Sequence, residues 1–460
     1  MKKSEILFYA LRPYQLSAII QWKHRSNGAL TRVPAQEPPS LSRSFSLLDM
    51  TSRSFSALTQ ELHPELIVVV AIFYLVLRGL DTIEDDMTID DSVKVPMLRN
   101  FTAVLQQDGW TFDGNGPNEK DRQLLVEFNN VIAEYRKIKP EYSIIIDDIT
   151  NKMGNGMADF IVKAQTGDLA VQSIREYELY CHYVAGLVGE GLTKLFVASG
   201  LAPSELLLHP QLIESMGQFL QKTNVIRDVR EDFDDSRNFW PKEIWGTYVD
   251  SFEMLFLEDE RSKQTAIACS SNMVLNALSH ATDSLTYLER LTDQRVFAFC
   301  AIAQSMAIAT LHIVFQNPAL FQQNIKISKG EACQLMLQSS RSYEEVCGIF
   351  ESYAAAIRKK NVRTDPNYLA IDVVCEEIVT FIVKRRTRLS MEQLGPKRSP
   401  QKSNLGLLLA KISMALIFIL ILACFFRYDD KIPGLEIILR HILPGSNTTL
   451  SAQESYRIDL

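Results

Sequence analysis

The sequence predicts an all-α protein, a large helical bundle followed by one C-terminal transmembrane helix. Three observations predict it. Gly (20) and Pro (17) together make about 8% of the 460 residues, against the usual roughly 12%, so backbone breakers are scarce. Long apolar stretches recur at helical spacing, which favours helices over a strand-and-turn architecture. Near the C-terminus, residues 405–426 (LGLLLAKISMALIFILILACFF) carry a single charge, Lys411. The composition is otherwise ordinary: 47% hydrophobic and 22% charged residues exclude a wholly disordered chain and a coiled-coil rod. A net charge of −7 offers no basic face, so no nucleic-acid partner is expected. A segment of over 300 residues buries roughly three quarters of its unfolded surface, enough to enclose a deep cavity.

Taken in chain order, residues 1–40 form an N-terminal segment. The apolar run Ile6–Leu11 is too short for a signal sequence and is stopped by Arg12-Pro13. Residues 26–56, rich in Ser, Pro and Arg, read as a loop or partly ordered segment. Residues 41–390 form the catalytic-sized domain. Within it, Leu66–Leu77 is an apolar run ended by Arg78 and Asp81, a length that suits a buried core helix. Pro64 belongs in its first turn. Residues 391–404 form a basic linker with two prolines. At 1.5 Å per residue, 405–426 spans about 33 Å, enough for a hydrocarbon core of roughly 30 Å. The cations from Lys384 to Lys402 outnumber their one acid, Glu392. The positive-inside rule therefore places the large domain in the cytosol and the tail, 427–460, across the membrane. That tail carries the glycosylation sequon Asn447-Thr448-Thr449. The seven cysteines show no CxxC and read as reduced, buried thiols. His182 and His312 read as satisfied core histidines, and no metal-ligating histidine pair is present.

The sharpest chemical feature is a repeated D-x-x-E-D motif, DTIED at 81–85 and DVRED at 228–232, 147 residues apart. Tyr74, Arg78, Asp81 and Asp85 fall on one helix face, and so do Gln221, Asn224, Asp228 and Asp232. Carboxylates one turn apart suit a hard divalent cation, and Mg²⁺ bridges such oxygens to phosphate. Arg53, Arg78, Lys120, Arg227 and Arg237 are candidate cations to complete a diphosphate clamp. A single acidic run is as readily a solvated helix end; two copies on apolar stems favour the metal array. Residues 177–191 (YELYCHYVAGLVGEG) and 297–311 (FAFCAIAQSMAIATL) are rich in small residues. They read either as tight helix packing or as room for a ligand. Met153-Gly154-Asn155-Gly156-Met157 reads as a helix break beside a cavity. Gly114-Asn115-Gly116 lacks the third glycine of a dinucleotide fingerprint.

The segments TSRSF (51–55), FYLVLRGLDTIEDD (73–86), YCHYVAGLVG (180–189), QKTNVIRDVRED (221–232) and the FAFCAIAQ helix together resemble the squalene synthase family, farnesyl-diphosphate farnesyltransferases. The likeness spans roughly residues 40–390 and includes the anchor. MGNGMADF (153–160) is most similar to the fungal members. The resemblance implies an isoprenoid-synthase-type helical bundle around a central cavity, Mg²⁺, NADPH, and residence in the endoplasmic reticulum membrane. It implies condensation of two farnesyl diphosphates to presqualene diphosphate, then reduction by NADPH to squalene, the first committed step of sterol synthesis. By the same resemblance, Asp81, Glu84, Asp85, Asp228, Glu231 and Asp232 match the metal–diphosphate motifs. Arg53, Arg78, Arg227 and Arg237 match diphosphate-binding arginines. Tyr183 matches the tyrosine that handles a proton or cation in the first half-reaction. Phe55, Tyr74, Gln221, Asn224, Phe299 and Gln304 match cavity positions, and Lys326 a cofactor contact. Two positions depart from the family pattern: Ser328 replaces an arginine of the lysine-rich segment in animal members, and Ala303 replaces a usual proline.

The chemistry agrees with that resemblance. Ionising an allylic diphosphate requires fixed cations in a dry site. A farnesyl chain requires a long apolar tunnel that shields carbocations and offers them π faces. Membrane lipid would receive the product. Two alternatives remain: a phytoene- or dehydrosqualene-type synthase without the reduction, and a non-catalytic tail-anchored helical protein.

Overall fold

The computed structural model describes residues 12–28, 36–165 and 171–393. The linker beyond Gln393, the apolar segment 405–426, the tail and Cys424 lie outside the described residues. The described residues divide into two units after Arg385. Of the second, only the end of the helix Tyr368–Gln393 is described.

The described residues are helical and contain no strand. Five helices position the site: α1 (Pro64–Asp85), α2 (Pro140–Gln165), α3 (Leu187–Ala198), α4 (Pro210–Arg227) and α5 (Gln294–Val314). α1 starts as its sequence dictates. Pro64 occupies the first turn, where its missing N–H costs nothing. The His63 side chain accepts from Glu65 N at 3.3 Å. α1 and α5 are each long and apolar enough to cross a membrane, but 78% and 89% of their apolar windows are buried inside the domain. They are core helices. α4 lies at the centre, packed against α3, α5, Glu260–Leu278 and Ala281–Glu289. The six described cysteines are all buried.

Four expectations are corrected. The second half of 26–56 is helical, Pro39–Thr51 followed by Arg53–Thr59. Its serines mask an apolar face on which Phe45, Leu47 and Leu48 are buried. Ser44 Oγ donates back to Ser40 O at 2.9 Å, so the hydroxyl is satisfied within the helix. The Met153–Met157 stretch does not break α2, which runs through it. Its glycines instead allow close approach: a Cβ at Gly154 would lie 2.3 Å from Leu98 O, and one at Gly156 2.2 Å from the Tyr183 ring. His182 is half-buried and bonded to Glu214 at 2.8 Å, a contact that raises its pKa. His312 Nδ1 is buried with no partner; burial, with Lys360 nearby, pushes its pKa down to about 4, which keeps the ring neutral.

Candidate active site

The two acidic motifs close on each other at the ends of α1 and α4. α1 ends at Asp85. α4 ends at Arg227, with Asp228 as its cap, and a short helix, Val229–Asp234, carries on the motif. The second array is therefore bent at Asp228. The bond from Asp232 N to Asp228 O, 2.9 Å, still keeps those two acids one turn apart.

Arg237 joins the arrays. It bonds to Asp85 from the first and to Asp232 from the second, the latter at 3.1 Å. A tight turn brings it there. Arg237 N bonds to Asp232 O at 2.7 Å and Ser236 N to Phe233 O at 3.0 Å, the pattern of a Schellman cap. Ser236 stands at its left-handed position, φ 59°. A pocket of about 110 Å³, open to solvent, lies between the arrays. Arg78, Asp81, Glu84, Asp85, Gln221, Asn224, Arg227, Asp228, Asp232 and Arg237 all line it. Ten of the expected residues thus share one wall.

The electrostatics show what this wall lacks. Burial pushes Asp81 up to about 7, with Asp85 and Asp121 adding to the rise and Arg78 opposing it. Burial, with Asp85 and Asp81, pushes Glu84 up to about 8. Burial pushes Asp232 up to about 8 against the pull of Arg237. These acids are crowded beyond what the arginines neutralise, so further cations would be attracted there. Among the described residues no three acid, histidine or cysteine side chains converge on one point. The arginines pair with single acids: Arg227 with Asp228 at 2.5 Å, and Arg78 with Asp121 at 2.5 Å while lying 3.7 Å from Asp81. That arrangement fits Mg²⁺, which takes one or two carboxylates plus phosphate oxygens and water rather than an all-protein cage.

The remaining expected residues sit elsewhere. Phe55 stacks on Tyr74 with ring centroids 4.2 Å apart, and Phe299 meets Phe55 edge-on at 5.7 Å. This aromatic cluster begins one turn along α1 from Arg78, where the tunnel was expected, and its rings touch. Gln304 is fully buried, donating to Met216 O at 3.0 Å. Tyr183 does not line the pocket. It lies on a π-helical turn, His182–Gly186, facing Phe160 at 6.2 Å. Such turns often mark functional positions. Glu231 is bonded by Asn324 at 2.8 Å. Lys326 is half-buried two residues beyond Asn324. The Arg53 side chain lies outside the described residues. Lys120 is exposed and is not in the wall. Ser328 caps Lys329–Ser339 and meets Gln15 at 3.3 Å. Ala303 leaves α5 unbroken, since it keeps the N–H a proline would lack.

Tyr180, from the small-residue stretch 177–191, lies in the pocket wall and stacks at 4.7 Å on Phe239, which sequence reasoning missed. The signal for Phe239 was proximity to Arg237. It also missed Asp121 and Asn324, whose partners lie too far along the chain to leave a local pattern. The extra acid Asp86 is not part of the pocket. Burial alone would raise its pKa, but bonds from Thr88, Gly116 and Asn115 outweigh this and hold it low. The Gly114-Asn115-Gly116 stretch thus fastens the end of α1.

An all-helical bundle that faces two D-x-x-E-D arrays across an acidic pocket bridged by arginine defines an enzyme that transfers prenyl groups. The pattern shared by squalene/phytoene synthases matches residues 48–331. A probable squalene synthase of Neurospora crassa is 54% identical over 395 residues, 86% of this chain and 80% of the relative. A squalene synthase of a Phoma species is 53% identical over 389 residues, 84% of this chain and 92% of the relative. The solved complex of TcSQS with a ligand is 36% identical, with TM-score 0.71, over 75% of this chain and 99% of that one. The chain belongs to the squalene/phytoene synthase family.

Proposed function

We propose that this chain is a squalene synthase that condenses two farnesyl diphosphates to presqualene diphosphate and reduces it with NADPH to squalene. The observation that carries the reading is Arg237 spanning Asp85 and Asp232, which makes one pocket of two distant arrays. The relatives' names favour squalene synthase over a synthase without the reduction. Two intact arrays, each with arginine partners, disfavour a non-catalytic protein.

Asp81, Glu84, Asp85, Asp228, Glu231 and Asp232 would hold Mg²⁺. When bound, Mg²⁺ neutralises the charge that develops on a departing diphosphate. Arg78, Arg227 and Arg237 orient the diphosphate, with Arg53 as a further candidate. Gln221 and Asn224 offer neutral polar contacts beside it. Phe55, Tyr74 and Phe299 present ring faces to cationic carbon and exclude water. Their rings must part to admit the chain. Tyr183 accepts or relays the proton lost on cyclopropane closure. Lys326 is the candidate contact for a phosphate of NADPH; its segment is held against the second array through Asn324. The apolar segment 405–426 anchors the domain in the endoplasmic reticulum membrane, facing the cytosol, and squalene passes into lipid.

The test is product analysis of the full-length protein with labelled farnesyl diphosphate and Mg²⁺. Squalene is expected with NADPH, and presqualene diphosphate or derived alcohols without it. Dehydrosqualene in place of squalene when NADPH is present, or no turnover of farnesyl diphosphate, overturns the proposal. Protease treatment of intact microsomes should digest the large domain and spare the tail; protection of the large domain overturns the orientation.

A further inference from the structure

We infer that Asn324 is an additional oxygen ligand of the divalent cation at the second array, an amide that turns over when the cation arrives. The inference rests on the metal-array reading above.

The segment after α5 returns to the end of α4 and sets Asn324 against two acids. Asn324 Nδ2 donates to Asp228 Oδ1 at 3.0 Å and to Glu231 Oε2 at 2.8 Å. The other end of the same amide, Oδ1, is buried and accepts no hydrogen bond. A primary amide carries a donor and an acceptor of nearly equal size on one carbon. A half-turn about the Cβ–Cγ bond therefore exchanges them without moving other atoms.

Two states follow. Without a cation, the NH₂ group faces the two carboxylates and offsets their repulsion. With a divalent cation between those carboxylates, the NH₂ group would turn its positive end toward the ion. The half-turn replaces that repulsion with a hard oxygen donor. The spacing suits this exchange. In an octahedral Mg²⁺ shell with ligands at about 2.0–2.1 Å, neighbouring oxygens stand roughly 2.9 Å apart. The Nδ2 position, where Oδ1 would arrive, lies at that distance from both carboxylate oxygens. Asp228 Oδ1 also accepts from Arg227 Nε at 2.8 Å. Its second lone pair, now directed to Asn324, is the one a cation would take. An amide ligand adds no charge, which matters where Asp228, Glu231, Asp232, Asp234 and Asp235 already stand in eight residues.

The experiment uses the full-length protein in detergent. Binding of Mn²⁺ in the presence of inorganic diphosphate is followed by the electron paramagnetic resonance of the free ion. Wild type, Asn324→Ala, Asn324→Asp and Asp232→Asn are compared, with circular dichroism to verify helical content. Asn324→Ala should bind Mn²⁺ at least about 10-fold more weakly. Asn324→Asp keeps an oxygen in the same place and loses the N–H donors, so it should bind as tightly as wild type or tighter. Its metal-free form should melt lower, because a third carboxylate then faces two others, and Mn²⁺ should restore the melt. If Asn324 only steadied the acids through its N–H groups, both substitutions would weaken binding; that result overturns the ligand assignment. Undiminished binding by Asn324→Ala overturns it too. Asp232→Asn separates the underlying reading: if it binds Mn²⁺ like wild type, or wild type binds none, the metal array itself is wrong and the Asn324 assignment falls with it.

Discussion

Replacing Gly156 by alanine places a methyl group 2.2 Å from Cγ and 2.3 Å from Cδ1 of Tyr183. Carbon atoms settle at about 3.5–4.0 Å, so ring or helix must yield by more than about 1 Å. The contact is with the base of the ring, which moves only if χ1 or the π-helical turn moves. Overpacking of this kind costs about 1–3 kcal/mol. Against it stands the ordinary gain of about 0.5–1 kcal/mol for Gly→Ala inside a helix. The clash wins, and a net loss of about 1–2 kcal/mol is expected. At about 2.1 cal/mol/K per residue over roughly 350 residues, unfolding entropy is about 0.7 kcal/mol/K, so Tm falls by about 1.5–3 °C. With Tyr183 in its proposed role, turnover should fall further, about 100-fold, because displacement of a reacting group by about 1 Å has that effect. In a Tyr183→Ala background the clash is gone and only the helix gain remains, so Gly156→Ala should raise Tm by about 1 °C. The assays are differential scanning fluorimetry of all four proteins and product formation by the single variant. Equal destabilisation in both backgrounds would refute the close-approach reasoning, as would wild-type turnover and melting in Gly156→Ala.

Three further outcomes are expected. Asp81→Asn or Asp228→Asn keeps shape but removes an anionic ligand, so turnover should drop about 10²–10³-fold with helical content unchanged by circular dichroism; near-wild-type turnover in either removes the metal-array reading. Burial, aided by Lys222 at 2.9 Å, pushes His280 down to about 3, so its stabilising effect is present above pH 6.5 and is lost as pH falls below that; the stability difference between wild type and His280→Gln should grow in favour of wild type by up to about 2 kcal/mol from pH 5 to pH 7, and a flat difference in chemical denaturation contradicts the assignment. Ser236 holds φ 59°, so Ser236→Gly should add about 1 kcal/mol by relieving the left-handed strain; a lower Tm would show that the turn is not strained.

How far the site was legible depended on where each signal sits along the chain. Asp81, Asp85, Asp228 and Asp232 were readable because one-turn spacing on an apolar helix is a local pattern. The burial of α1 was readable because a run of twelve apolar residues ended by Arg78 is too short for a bilayer. Pro39–Thr51 was misread as loop because four serines and the adjoining prolines interrupt its apolar pattern, whereas the burial of Phe45, Leu47 and Leu48 decides its state. The Gly154 and Gly156 pair was misread as a break because a glycine needed for close approach looks, in sequence, like a glycine that ends a helix.

The sequence by itself determined the helical class and the two carboxylate arrays, since these rest on composition, period and charge. It also determined the apolar 405–426 segment. Only the tertiary structure decided that Arg237 lies between Asp85 and Asp232, that Asp121 holds Arg78, that Asn324 reaches Asp228 and Glu231, and that Tyr183 rides a π-helical turn outside the pocket wall. Apart from Arg237 and its neighbour Asp232, these partners are brought together across 43 to 152 residues of chain. The physical reason is that side-chain pairing over such separations is set by how whole helices pack, and packing maximises buried apolar area while limiting strain over all helices at once. No local window of sequence carries that sum.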